Sequence, residues 1–281
     1  MPLKASVVIP TYNEGKDIGA CLISLQEQTY YNFEVIVVDD GSTDDTLTQV
    51  GFFDNIKVIK GKHKGPGFSR NLGAKKAKGE ILIFIDADMI LTPDYIKNLI
   101  KPLDSKLFET PIGTTHEYEL CSNSDNLWSR CWGRVKVDER GSKEDCNNFR
   151  AIRKDVFIHF GGFDSKYGYA DDLSLYYNHG LTSEFAPGTK CYHKNPETLK
   201  DVYKQSRWIG ASIQSKLVNN YISLVLMLIL SPLIILLTAI RKCIKNRECL
   251  LFFPMIIFMT YRFFGTFQGV KNKLVHNYNL K

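Results

Sequence analysis

The sequence lacks the glycine patterns that cradle phosphates in the commonest nucleotide-binding folds. No G-x-G-x-x-G follows the first apolar run, and no G-x-x-x-x-G-K-[ST] occurs anywhere in the 281 residues, which removes a dinucleotide-binding or P-loop reading. A cysteine framework is missing too. Seven cysteines, Cys21, Cys121, Cys131, Cys146, Cys191, Cys243 and Cys249, are odd in number and scattered, with no C-x-x-C pair, so they read as reduced thiols of a cytosolic domain. Met1-Pro2-Leu3-Lys4 leads directly into a strand, and no secretory signal is expected there. Acids nearly vanish from Arg241 onward, where eight Lys or Arg face one acid, leaving 28 basic and 29 acidic residues before it. The net charge of +6 is therefore C-terminal and lies beside the most apolar segments. That placement fits an anionic membrane surface and argues against nucleic acid as a partner.

What is present is an alternation of buried strands and amphipathic helices. Apolar runs at Ala5–Ile9, Phe33–Val38, Ile56–Ile59 and Ile81–Ile85 read as strands covered on both faces. Between and after them, residues 16–28, the segment after Asp44-Asp45, Pro66–Lys78 and Pro93–Leu103 read as helices. Four such repeats specify an α/β fold with a mainly parallel sheet flanked by helices. Ser42 or Thr43 suits a helix cap, with Asp44 and Asp45 in the first turn.

Three strands end in polar or acidic residues: Tyr12-Asn13-Glu14, Asp39-Asp40 and Asp86-Ala87-Asp88. In an open α/β sheet these carboxyl ends converge on the ligand crevice. In an extended segment Asp86 and Asp88 point to one side and form a hard-oxygen half-site for Mg²⁺ or Mn²⁺. The competing account is a strand followed by an Asp-capped turn. An acidic crevice that receives a diphosphate needs a metal to bridge the like charges, and that requirement favours the metal.

Pro10-Thr11-Tyr12-Asn13-Glu14, Val37-Val38-Asp39-Asp40-Gly41-Ser42-Thr43-Asp44, Arg70-Asn71-x-Gly73 and Asp86-Ala87-Asp88 are followed in order by Asn148-x-x-x-x-Arg153-Lys154, Gly161-Gly162-Phe163-Asp164, Asp171-Asp172-x-x-Leu175 and Arg207-Trp208. This set, over roughly residues 5–210, resembles the family 2 inverting glycosyltransferases of the GT-A fold, a Rossmann-like mixed, mainly parallel sheet. The resemblance implies transfer of one sugar from a nucleotide-diphosphate sugar, a UDP- or GDP-sugar, with Mg²⁺ or Mn²⁺ as cofactor. Pro10, Tyr12, Glu14, Asp39, Asp40, Arg70 and Asp86 would line the donor site. Asp88, assisted by Asp86, would hold the metal, with His193 a weaker candidate because a lone histidine is more often structural.

Asp172 matches the family's base position, while Asp171 replaces the more usual Glu. A base on the acceptor side takes the proton of the attacking hydroxyl, and two adjacent carboxylates in a poorly solvated pocket are expected to raise at least one pKa. Their alternative role is to cap the helix starting at Leu173. Arg207 would meet the leaving diphosphate and Trp208 would stack on an acceptor sugar, although the motif begins with Lys204 where processive synthases carry Gln, which weakens a processive reading. A plain packing role for this helix stays open. A strand is expected at Pro111–Tyr118, in a region that faces the acceptor in such enzymes.

Tyr221–Ile240 carries no charge over 20 residues, long enough to cross a bilayer, with Pro232 near its middle. A second run, Cys249–Tyr261, is interrupted by Arg262. The basic loop 241–248 between them would face outward in a simple pair of spans, against the positive-inside tendency. The expected organisation is thus a catalytic domain over residues 1–215 on the cytoplasmic side and, over 216–281, a membrane-associated apolar helical hairpin, re-entrant or interfacial, with a basic tail. The expected acceptor is a hydroxyl of a lipid-linked or membrane-proximal glycan, as in polysaccharide biosynthesis. Alternatives are a polyprenyl-phosphate glycosyltransferase and a non-catalytic nucleotide-sugar-binding scaffold.

Overall fold

The computed structural model describes residues 4–104, 110–132, 143–212, 221–246 and 249–279. The expected domain boundary at 215/216 and Lys281 of the basic tail lie outside the described residues.

The first compact unit comprises residues 1–120, 136–165 and 171–193. Its sheet has eight strands in the order β3-β2-β1-β4-β7-β6-β8-β5: β1 (Ala5–Thr11), β2 (Phe33–Asp39), β3 (Ile56–Lys60), β4 (Ile81–Phe84), β5 (Met89–Leu91), β6 (Gly113–Cys121), β7 (Ala151–Arg153) and β8 (Glu184–His193). The pairs β1–β2, β2–β3 and β1–β4 are parallel, whereas β4–β7, β6–β7 and β5–β8 are antiparallel. The sheet is therefore mixed, with its parallel half built from the first four apolar runs.

Strand alternation divides the core into two layers. Ala5, Val7, Ile9, Val37, Ile81, Ile83 and Ile85 pack to one side. There they meet Ile18, Cys21, Leu22 and Leu25 of α1 (Ile18–Gln26) and Tyr95, Ile96 and Leu99 of α4 (Tyr95–Ile100). Val8, Ile36, Val38, Leu82 and Phe84 face the other way, toward Ala74 and Phe157. Those two residues belong to α3 (Pro66–Lys76) and α6 (Lys154–His159). Each fully buried aliphatic side chain contributes about 1.5–3 kcal/mol, so the sheet supplies a rigid floor for the loops at its carboxyl edge.

Those loops are stitched to one another. The helix after β2 is only α2 (Thr46–Val50), and Ser42 and Thr43 do not cap it. Instead the Asn13 amide donates to Ser42 Oγ at 2.9 Å and the Thr43 amide donates to Asn13 Oδ1 at 2.8 Å. The Glu14 amide donates to Thr46 Oγ1 at 2.8 Å. Asn13 adopts φ +57°, a left-handed conformation that Asn tolerates better than most residues.

α3 begins with Pro66 at its first position after Gly65, the favoured use of proline. Further along, Gly73 lies against the Val8 side chain of β1 closely enough that a Cβ would collide with Val8 Cγ1. Gly73→Ala is expected to destabilise the domain by about 1–3 kcal/mol through overpacking, read as a lower urea midpoint with an unchanged slope. An unaltered midpoint would show that β1 and α3 separate freely.

The second unit comprises residues 121–135, 166–170 and 194–281, and so draws in part of what sequence reading gave to the catalytic domain. It holds α5 (Leu127–Trp132), α8 (Leu199–Ser212), α9 (Tyr221–Asn246) and α10 (Phe252–Asn279); α7 (Ser174–His179) belongs to the first unit. α9 and α10 are each long and apolar enough to cross a membrane. Pro232 lies inside α9, and Ile229, Leu233 and Leu237 are exposed on its surface. Lys242 Nζ donates to the carbonyls of Cys131 and Trp132, at 2.8 and 3.1 Å, which satisfies the C-terminal end of α5. Arg262, the charge that interrupts the second apolar run, lies 4.6 Å from the Trp132 ring centroid, a cation–π contact.

Candidate functional site

The site is built from the bottom of the crevice upward, beginning with Asp86. β4 ends at Phe84, and Asp86–Met89 is a turn closed by the Met89 amide donating to the Asp86 carbonyl at 3.1 Å. The premise of an extended segment with both acids on one side therefore does not hold. Asp86 accepts from Arg70 Nη2 on one oxygen at 2.7 Å and from Arg150 Nη1 on the other at 2.9 Å. Burial alone would raise its pKa, but the Arg150 and Arg70 guanidiniums outweigh it and hold the carboxyl well below the usual range. Asp86 is thus a half-buried counter-ion to two arginines.

Arg70 reaches the second key acid with its other nitrogen. Its Nη1 donates to Asp171 Oδ1 at 2.7 Å, while the Gly67 amide donates to Asp171 Oδ2 at 2.6 Å. The carboxylate of Asp171 consequently caps the start of α3, a helix more than a hundred residues earlier in sequence. A Cβ at Gly67 would come within 2.6 Å of that oxygen, so glycine is what permits the approach. With 2% of its surface exposed, Asp171 fixes the loop and does not face the crevice as a reacting group.

Its neighbour has a different environment. The Asp172 carboxylate is half-buried and is in the electrostatic field of Arg70, Arg150 and Asp86. Burial raises the pKa of Asp172 despite the opposing pull of the two arginines. Burial likewise raises Asp171 to about 6 against the pull of Arg70, with Asp172 adding repulsion. The expectation of a perturbed acid pair holds, and the two surroundings differ: Asp171 is anchored by Arg70 and Gly67, and Asp172 is half-buried.

On the opposite side of Asp86, Asp88 accepts from His193 Nε2 at 3.0 Å. β8 carries His193 next to this turn because β5 pairs with it, Met89 opposite His193. Burial would lower the His193 pKa, but Asp88 and Glu119 raise it well above the ordinary imidazole value. Among the described residues no group of three or more His, Cys, Asp or Glu is arranged to hold a metal. The expected set of Asp86, Asp88 and His193 therefore narrows to Asp88 and His193, since both oxygens of Asp86 are engaged by guanidiniums. Glu14, half-buried near the same turn, has its carboxyl pushed up to about 8 by burial and by Asp88, Asp17, Asp86 and Asp44.

The residues expected at the donor site have these surroundings. Tyr12 is exposed and packs on His63, ring centroids 4.4 Å apart. Pro10 is buried within β1, in register with Val38. Asp39 accepts from the Ser42 amide at 3.2 Å. Asp40 accepts from the Lys64 and Gly65 amides at 3.0 and 2.7 Å, so it secures loop 61–65 ahead of α3. Arg207 and Trp208 belong to the second unit, exposed on α8, where the Trp208 ring meets Tyr169 edge-on at 5.1 Å.

Arg150, Glu119 and His116 were not anticipated. One signal existed for Arg150: a single cation inside the apolar stretch Phe149-Arg150-Ala151-Ile152 demands a buried partner. His116 and Glu119 had no comparable signature: they pair with each other within β6, and their further partners, Tyr95 and His193, lie far away in sequence.

Comparison with known proteins supplies a lineage for this arrangement. The sequence profile of glycosyl transferase family 2 matches residues 6–161. The glycosyltransferase GlyG of Streptococcus pneumoniae is 36% identical over an alignment of 179 positions that covers 55% of this chain and 59% of GlyG; the chain thus spans less than two thirds of that relative. Staphylococcus aureus TarS, crystallised as residues 1–349 in complex with UDP-GlcNAc, aligns over 75% of this chain and 66% of that one, with a TM-score of 0.55 and 23% identity. The mannosyltransferase PcManGT of Pyrobaculum calidifontis, solved with GDP-Man and Mn²⁺, aligns over 97% and 88%, with a TM-score of 0.63 and 17% identity. At these identities the two structures speak for a shared fold.

Proposed function

The chain belongs to glycosyl transferase family 2, and on that premise we propose that it is an inverting glycosyltransferase that moves one sugar from a nucleotide-diphosphate sugar to an acceptor hydroxyl. The observation that carries this reading is the bridging of Asp86 and Asp171 by Arg70. One guanidinium fixes the turn that contains Asp88 and the segment that presents Asp172. Donor end and acceptor end are thereby held in one frame, as in-line displacement requires.

Asp172 is the base: its carboxylate accepts the proton of the acceptor hydroxyl as that oxygen attacks the sugar carbon from the face opposite the departing diphosphate. Arg70 and Arg150 lower the cost of keeping it ionised. Asp88 and His193 would hold a divalent cation, Mg²⁺ or Mn²⁺, next to the donor diphosphate. One carboxylate and one imidazole suit such a cation, which commonly relies on few protein ligands plus substrate phosphates. When bound, it stabilises the charge that develops on the leaving diphosphate. Tyr12, Glu14 and Asp39 are assigned to the nucleoside. The complexes of TarS with UDP-GlcNAc and of PcManGT with GDP-Man and Mn²⁺ support a nucleotide-sugar donor. A hydroxyl acceptor on a lipid-linked or membrane-proximal glycan is favoured over a polyprenyl phosphate, because a phosphate acceptor needs no base.

Screening UDP- and GDP-sugars by thermal unfolding tests the donor assignment. A donor at a hundred times its Kd contributes about 2.7 kcal/mol, a rise of roughly 5–10 °C for a domain of this size, and the rise should depend on Mg²⁺ or Mn²⁺. If no nucleotide sugar stabilises the protein with either ion, the reading fails.

For the apolar helices the proposal is a membrane-associated hairpin with the catalytic domain on the cytoplasmic side. Cys249 is exposed in the short turn that leads into α10, while Cys243 is buried. A membrane-impermeant maleimide should label Cys249 only from the cytoplasmic side. Labelling from the outer side alone would leave two ordinary spans.

A further inference from the structure

The first unit contains a chain of buried and half-buried polar groups behind His193 that the proposed reaction does not use directly. Glu119 of β6 accepts from His193 Nδ1 on one oxygen at 2.9 Å and from His116 Nε2 on the other at 2.8 Å. Arg150 Nη2 stands 4.0 Å from the second oxygen. His116 is almost wholly buried, and its Nδ1 lies 3.2 Å from Tyr95 Oη. Burial lowers the His116 pKa and raises that of the Tyr95 phenol. The consistent proton arrangement is a neutral His116 that accepts from the Tyr95 hydroxyl at Nδ1 and donates to Glu119 from Nε2. Glu119 is therefore held at a fixed angle by a group that is itself fixed in the core.

We propose that Glu119, clamped by His116, is a positioning residue for His193: it binds the Nδ1–H of the ring and so directs Nε2 at Asp88 and the diphosphate. The inference rests on the donor-site assignment above for its consequence, and on geometry alone for the orientation. An imidazole on a strand end has two nearly equivalent ring flips. A carboxylate on Nδ1 removes one of them and raises the basicity of the far nitrogen, the arrangement that supports histidines around bound cations. Asp86 and Glu119 meet at Arg150, so the same guanidinium also keeps this carboxylate apart from the acids of the turn. Tyr95, His116 and Glu119 come from α4 and β6.

Two readouts test it in the full chain. With ¹⁵N-labelled histidine and no ligand, Glu119→Ala should move the ring-nitrogen resonances of His193, identified by their loss in His193→Ala; unmoved resonances overturn the proposal. In titrations with UDP and Mn²⁺, or GDP where the thermal screen selects it, Glu119→Ala should weaken binding about 10–100-fold. Glu119→Gln, which keeps an acceptor oxygen for Nδ1–H, should recover most of that loss. Glu119→Ala added to His193→Ala should produce no further weakening, since a residue acting through another has no effect once that other is gone. Additive losses would make Glu119 a general structural group and overturn the proposal. Should wild-type protein bind neither nucleotide, the donor-site assignment falls, and the resonance measurement still decides the orientation.

Discussion

Replacing Asp172 by Asn is expected to lower sugar transfer by about 10²–10⁴-fold, the usual contribution of a positioned general base, while leaving donor binding within a factor of about two. The amide preserves shape and cannot take up a proton. The half-buried Asp172 carboxylate is presented next to an anchored Asp171, so the substitution should not disturb the loop. Rates of transfer and the affinity for the donor, measured on the same preparation, make the check. Equal loss of both would mean that Asp172 holds the donor, and no loss of transfer would remove it from the reaction. The pH profile follows with a definite sign. The base acts only when ionised, and burial raises the pKa of Asp172 and takes Asp171 to about 6. Transfer by the wild type should therefore rise with pH through a limb above the ordinary carboxylate range and level off beyond it. The apparent pKa of that limb belongs to the coupled pair.

Arg70→Leu is expected to destabilise the first unit by about 3–5 kcal/mol, because removing one partner of a buried ion pair strands the others. Asp171 would keep only the Gly67 amide, whereas Asp86 would retain Arg150. The principal cost thus falls on Asp171. Combining Arg70→Leu with Asp171→Asn should recover part of the stability, since the asparagine carries no charge to strand. Urea unfolding of the two single variants and the double variant gives the coupling; strictly additive losses would show that the 2.7 Å contact contributes little. Neither variant should regain transfer, because the guanidinium also fixes the turn beside Asp88.

Much of this architecture was legible in the residues. The four apolar runs marked the strands, since Val, Ile and Leu buried on both faces leave an uninterrupted signature, and Pro66 marked the start of α3. The pairing Asp171-Asp172 at a loop ahead of a helix was also visible. What escaped was the identity of the partners. Arg70 meets Asp171 across 101 positions and Asp86 across 16, and no local pattern encodes a contact of that separation. The reading of Asp86 and Asp88 as two ligands on one side assumed that the strand continued through them. The turn at Asp86–Met89 interrupts it, and one acid meets the arginines while the other meets His193. Similarly, Ser42 and Thr43 looked like caps because their residue types suit that role, but Asn13 from a neighbouring strand end claims them first.

The pairing of β5 with β8 has a consequence for how the chain acquires activity. Met89 cannot face His193 until a loop of about a hundred residues has closed, an entropically expensive event that makes high-contact-order topologies slow to fold. Any species with β1 to β4 in place and β8 still unpaired would possess Asp88 without its histidine. Maturation to a competent enzyme should then lag behind the appearance of secondary structure, by the time that the last strand needs to arrive.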